Sequence, residues 1–76
     1  MKITVKIYAD LREYTEGQGS INLELVEGTK VFDLLERLKI PEEKVKIIMI
    51  NGRRAKPDTK AVDGDRVAVF PPIAGG

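Results

Sequence analysis

Three stretches of the chain alternate apolar and polar residues, one carries apolar residues at helical spacing, and one is apolar almost throughout. From Lys2 to Tyr8 the pattern is strict. Ile3, Val5 and Ile7 point one way, Lys2, Thr4, Lys6 and Tyr8 the other, which predicts a half-buried strand. Ser20 to Val26 repeats it, with Ile21, Leu23 and Leu25 inward and Asn22 and Glu24 outward. Because the two runs are close in sequence, an antiparallel hairpin is the simplest pairing. The connection between them, Ala9 to Gly19, places Leu11 and Tyr14 one helical turn apart and loosens at Gly17 and Gly19. Val31, Leu34, Leu35 and Leu38 then fall at i, i+3, i+4 and i+7, the apolar stripe of a helix over about residues 30–39. Thr29 is its expected N-cap, Phe32 lies beside the stripe at the core edge, and Pro41 ends the helix.

The run Val45 to Ile50 has no clean alternation. It reads as a strand with some burial on both faces, and we place Ile48 and Ile50 inward and Ile47 and Met49 outward. Asn51-Gly52 is a type I′ hairpin signal, with a short strand expected over about Arg53 to Lys56. After a second turn at Asp63-Gly64-Asp65, Arg66 to Phe70 alternates again, Val67 and Val69 inward, Ala68 and Phe70 outward. The order strand, strand, helix, strand, short strand, strand predicts an α+β domain with one helix on one face of a mixed sheet. If the first and last strands lie side by side and parallel in the middle, the arrangement is a β-grasp. Another small α+β layer, such as a split βαβ fold, would need a second helix that the sequence does not offer. A body over residues 1–70 and a tail over 71–76 follow.

Composition narrows the chemistry. At 76 residues there is no room for a second domain. With 42% hydrophobic and 33% charged residues the chain should fold and dissolve. It has no apolar run long enough for a membrane span and no signal-peptide pattern, so no membrane association is expected and a cytoplasmic location is the default. The absence of cysteine excludes thiolate nucleophiles and cysteine-based metal sites. The absence of histidine removes the usual general base near neutral pH. A complete active site is therefore not expected, and any catalysts would come from a partner. No metal site is assigned.

Net charge is +1, which with few aromatics gives no case for nucleic acid. The charge is uneven, however: residues 44–76 hold seven Lys/Arg against three Asp/Glu. The excess at Lys44, Lys46, Arg53, Arg54, Lys56 and Lys60 reads first as a solvated face, and second as a docking patch for an acidic surface. The predicted open face of the sheet would carry Tyr8, Met49 or Ile47, Ala68 and Phe70 with lysines around them, an apolar patch with a basic rim that reads equally as a docking surface or as scattered exposure.

The chain closes on Phe70-Pro71-Pro72-Ile73-Ala74-Gly75-Gly76. Two prolines stop the last strand, because proline offers no N–H to a ladder. Six extended residues reach about 20 Å, and glycines without a Cβ can pass a narrow channel. A chance Gly-Gly ending has odds of about one in 200, so the tail takes its meaning from the body before it. The expectation is that the carboxylate of Gly76 is the reactive group.

These residues resemble the MoaD/ThiS group of ubiquitin-like sulfur carriers, and the MoaD branch most closely. The resemblance rests on Tyr8-Ala9-Asp10-Leu11-Arg12-Glu13, Glu27-Gly28-Thr29-Lys30-Val31, Ile50-Asn51-Gly52, Asp63-Gly64-Asp65 and the Phe-Pro-Pro-x-x-Gly-Gly ending. Tyr8 stands where the group usually has phenylalanine, and the Ala9–Gly19 connection is short for it. What the resemblance implies is a mechanism. A ubiquitin-activating-like adenylyltransferase (MoeB-like) uses ATP to adenylate Gly76, and a sulfur donor converts it to a thiocarboxylate. The tail then enters the large subunit of molybdopterin synthase (MoaE-like) and gives sulfur to a pterin precursor, in molybdenum or tungsten cofactor synthesis. The protein would be a synthase subunit and co-substrate that binds no cofactor itself. Gly75 would permit access, Phe70, Pro71, Pro72, Ile73 and Ala74 would position the tail, and Phe70, Ala68, Tyr8 and Met49 would dock the partner. A ThiS-like thiamine carrier and a protein modifier joined to lysine through Gly76 are the alternatives, and a purely noncovalent adaptor would leave the glycines unexplained.

Overall fold

A computed structural model describes residues 1–56 and 58–72. Strands β1 (Lys2–Ile7), β2 (Ser20–Glu24), β3 (Ile47–Ile50), β4 (Arg53–Arg54) and β5 (Arg66–Phe70) form one sheet in the order β2-β1-β5-β3-β4. β1 and β5 run parallel at its centre and the other pairs are antiparallel. Helix α1 (Val31–Leu38) is the crossover between the two hairpins. This is the β-grasp arrangement that the element order predicts.

One face of the sheet buries the core. Ile3, Val5, Ile7, Val67 and Val69 are buried together with Leu34 and Leu35 of α1, Leu11 and Leu25. Ile48 and Ile50 pack against this cluster, while Ile47 and Met49 do not. The apolar run of β3 thus faces as expected. Burying a leucine or isoleucine stabilises by roughly 1.5–3 kcal/mol, which is the main driving force a domain of this size has.

The segment Ala9–Thr15 is a 3₁₀ helix. Ala9 takes a left-handed φ of 54°, at a cost of about 1 kcal/mol for a residue with a Cβ. That kink leaves Tyr8 in line with the strand and turns Leu11 down into the core. Arg12 Nε donates to the Ile7 carbonyl (3.1 Å), and its guanidinium lies against Gly19, where a Cβ would meet Nε at 3.3 Å. The Leu11-Arg12 pair therefore closes the β1–β2 end of the sheet.

Thr29 is not the N-cap. Its hydroxyl donates to the Val26 carbonyl (2.6 Å), and Lys30 occupies the cap position. The Val31 N–H is instead taken by the Thr59 carbonyl (2.9 Å), and Asp33 Oδ2 accepts from the Lys30 N–H (3.2 Å). A backbone carbonyl from the loop before β5 thus supplies what the threonine was expected to supply, and a bridge between Lys30 and Lys60 ties that loop to the helix start. Lys39, at φ 59°, closes α1. β4 is shorter than expected, although the Ala55 N–H still reaches the Ile48 carbonyl (2.8 Å).

Candidate functional site: the open sheet face and the root of the tail

α1 covers one face of the sheet, and the positions between the buried ones share the other. Register aligns them in rows. Lys6 lies beside Ala68, and Ala68 beside Met49. Thr4 lies beside Arg66, and Phe70 beside Ile47. Tyr8 continues β1 past Ile7, and its ring stacks on Phe70 with centroids 4.5 Å apart and planes 12° from parallel. The structure therefore brings all of the expected docking residues, Tyr8, Met49, Ala68 and Phe70, to one surface. Ile47, the alternative to Met49 in the sequence reading, lies on it as well, so both residues share this surface. Lys6 and Arg66 are exposed on the same face, so the apolar centre has cationic neighbours.

The end of β5 is held from both sides. The Tyr8 N–H donates to the Val69 carbonyl (3.3 Å), and the Lys46 N–H to the Phe70 carbonyl (2.8 Å). Pro71 is half-buried and Pro72 exposed. Neither has an N–H, so the ladder stops where the sequence stops it. The tail leaves the body from a point fixed by two backbone hydrogen bonds and one aromatic stack. The expectations for Ile73, Ala74, Gly75 and Gly76 lie outside the described residues.

The opposite end of β5 is built from side chains that are easily mistaken for chemistry. Asp65, only 5% exposed, accepts from the Val62 N–H (2.8 Å) and from Asn51 Nδ2 (2.8 Å). Asn51 Oδ1 accepts in turn from the Arg66 N–H (2.9 Å). Asp63 Oδ1 takes the Lys2 N–H (2.6 Å). Both carboxylates are thus hydrogen-bonded to backbone: Asp65 joins two turns, and Asp63 ties its turn to the start of β1. No buried side-chain polar atom among the described residues is left without a partner. The basic residues Lys44, Lys46, Arg53, Arg54, Lys56 and Lys60 are all exposed. They gather around β3, β4 and the loop beyond, to one side of the aromatic pair.

This geometry has known counterparts. The model of the ThiS family matches residues 5–76. The chain belongs to the ThiS family. It is a ubiquitin-like carrier of the ThiS/MoaD type, and the coarse activity that follows is that of a sulfur carrier or of a small protein modifier built on the same fold. A Pyrococcus furiosus protein, provisionally named molybdopterin converting factor subunit 1, is similar at 34% identity with a TM-score of 0.77, over 96% of this chain and 99% of that one. The small archaeal modifier protein 1 of Methanosarcina acetivorans is similar at 30% identity with a TM-score of 0.71, over 99% and 96%. Subunit 1 of the Helicobacter pylori molybdopterin-converting factor, crystallised in complex with subunit 2, shares the fold at 19% identity and a TM-score of 0.65 over the whole of both chains. No curated protein matches the chain. No helix among the described residues is long and apolar enough to cross a membrane.

Proposed function

We propose that this ThiS-family chain is the sulfur-carrying small subunit of molybdopterin synthase. The observation that supports the reading best is the tail root: Phe70, stacked on Tyr8 and bonded through its carbonyl to Lys46, sits where the open apolar face meets the tail. A partner that grips this face receives the tail from a fixed origin. The 34% identity with the Pyrococcus furiosus protein over almost its whole length favours this pathway among those the family serves.

The chemistry resides at the carboxylate of Gly76. A free α-carboxylate has a pKa of roughly 3.3–3.7, so at neutral pH it is an anion and a poor electrophile. A partner adenylyltransferase transfers AMP from ATP to it and releases pyrophosphate. A sulfur donor displaces AMP and leaves a thiocarboxylate. Within the large synthase subunit that sulfur bonds to a carbon of the pterin precursor as an oxygen substituent leaves that carbon as water, and hydrolysis of the acyl–sulfur bond then leaves a thiol on the pterin and the carboxylate on Gly76. This chain supplies the acyl group, its reach and its docking face; its partners supply nucleotide binding and acid–base groups.

A second reading has its own support. The 30% identity with the Methanosarcina acetivorans modifier favours transfer of the same activated carboxylate to a lysine amine. Deleting Gly75-Gly76 and assaying dithiolene formation with the large subunit tests the carrier reading. We expect a folded protein that still binds the large subunit and forms no dithiolene. Undiminished product from the truncated chain would refute it.

A further inference from the structure

The two edges of the sheet are not alike. β4 is two residues long and both are arginine. Just beyond it, the Lys56 N–H is taken by Thr59 Oγ1 (3.1 Å) and the Lys56 carbonyl by the Thr59 N–H (3.0 Å). Short length, charge and a local cap are the usual ways of blunting an edge. β2 is longer, and its one charge is Glu24 at its end. It is five residues long, Ser-Ile-Asn-Leu-Glu, without proline, lysine or arginine, and its register with β1 runs from Ser20 to Glu24 without a bulge.

The direction of its backbone groups is fixed by the ladder. Met1 and Leu25 exchange hydrogen bonds (2.7 Å each way), and the Ile7 N–H donates to the Gly19 carbonyl (2.9 Å). These set the alternation, so Ile21 and Leu23 also bond inward to β1. Lys2 and Thr4 bond away from β2, towards the turn before β5: the Thr4 N–H reaches the Asp65 carbonyl (3.0 Å) and the Gly64 N–H the Lys2 carbonyl (2.8 Å). Ser20, Asn22 and Glu24 are therefore left with N–H and C=O pointing out of the sheet edge. They have no backbone partner among the described residues.

We propose that this edge pairs with the same edge of a second copy, β2 against β2 antiparallel about a two-fold axis at Asn22. The strand is complementary to itself in that register. Asn22 meets Asn22, and Ser20 meets Glu24, so a carboxylate faces a hydroxyl and no like charges oppose. All the outward backbone groups are used. On the helix side Ile21 meets Leu23 of the other copy, and both are only half-buried in one copy. Centring the axis on Glu24 would oppose two carboxylates, and centring it on Ile21 or Leu23 would pair fewer backbone groups. The axis is perpendicular to the sheet, so the two open faces lie on the same side and the two β5 strands run in opposite directions. Pairing thus leaves the tail roots accessible. A contact of one short strand falls below the roughly 1,000 Å² expected of a stable interface, so the dimer is weak and concentration-dependent.

Sedimentation velocity on the full chain tests this. The apparent mass is expected to rise with concentration from 8.5 kDa towards twice that value. Asn22→Lys, which opposes two ammonium groups on the axis, is expected to stay monomeric with an unchanged circular dichroism spectrum. The chain has no cysteine, so Asn22→Cys gives a clean second readout. A short bis-maleimide should link it to itself, whereas Glu27→Cys, exposed and off the strand, should remain unlinked. A chain that is monomeric up to its solubility limit overturns the proposal. So does a dimer that survives Asn22→Lys and links no better at position 22 than at 27. Neither outcome bears on the carrier reading, which rests on the tail and the open face and not on the β2 edge.

Discussion

Phe70 is joined to its surroundings by ring and by backbone, and mutation can separate the two. Its carbonyl accepts from Lys46, and its ring stacks on Tyr8 at the half-buried edge of the open face. Phe70→Ala keeps the carbonyl and removes the ring. Buried aromatic anchors of interfaces commonly carry about 2 kcal/mol or more, about thirtyfold in affinity. Calorimetric titration with the large synthase subunit should show that loss, with little change in melting temperature. Unchanged affinity would take Phe70 out of the docking surface. The facing of this residue was legible in advance, because strict alternation from Arg66 leaves no choice. Ile47 was harder. Its run is apolar on both sides, so alternation is silent there, and only pairing with β5 puts Ile47 beside Phe70 and Ile48 beside Val69.

Between single residues and the whole sheet, the turns decide the geometry. Asn51-Gly52 has φ values of 52° and 82°, as a two-residue hairpin of the predicted type requires. What the sequence did not disclose is that this turn is bonded to the Asp63-Gly64-Asp65 turn through Asn51 and Asp65. That contact depends on bringing residues 14 positions apart together, and local pattern carries no such information. The same limit explains Thr29, a good cap by composition that lost its place to a carbonyl from a loop far along the chain. Asp65→Ala strands the Val62 N–H and the Asn51 amide. Both donors belong to exposed residues that water can reach, so the loss is that of two hydrogen bonds to a carboxylate, about 2–3 kcal/mol in all. For a domain of this size that lowers the melting temperature by about 10–20 °C. Asp65→Asn, which keeps one acceptor oxygen, should fall between. A parental melting curve for Asp65→Ala would show that the staple is dispensable.

At the scale of the molecule, the fold divides its labour along β5. One end of the strand is locked into the turn cluster and the other releases the tail beside the open face. The parallel pairing of β1 with β5 creates this polarity, because it sets Tyr8 next to Phe70 while Lys2 and Thr4 hold the turn before β5. The topology was legible because one amphipathic helix and a set of strands with clear turn residues admit few two-layer solutions. The self-pairing edge of β2 was not, since the direction of its backbone groups depends on ladder parity and not on residue type.

The carrier reading stands or falls on the last atom of that tail. The most direct measurement is the intact mass of the full chain after incubation with its adenylyltransferase, ATP and a sulfur donor. The carrier reading predicts an increase equal to the difference between sulfur and oxygen, located at Gly76 by fragmentation and abolished by omitting ATP. A chain that keeps its original mass, or that gains mass only as lysine-linked adducts on other proteins, would contradict it.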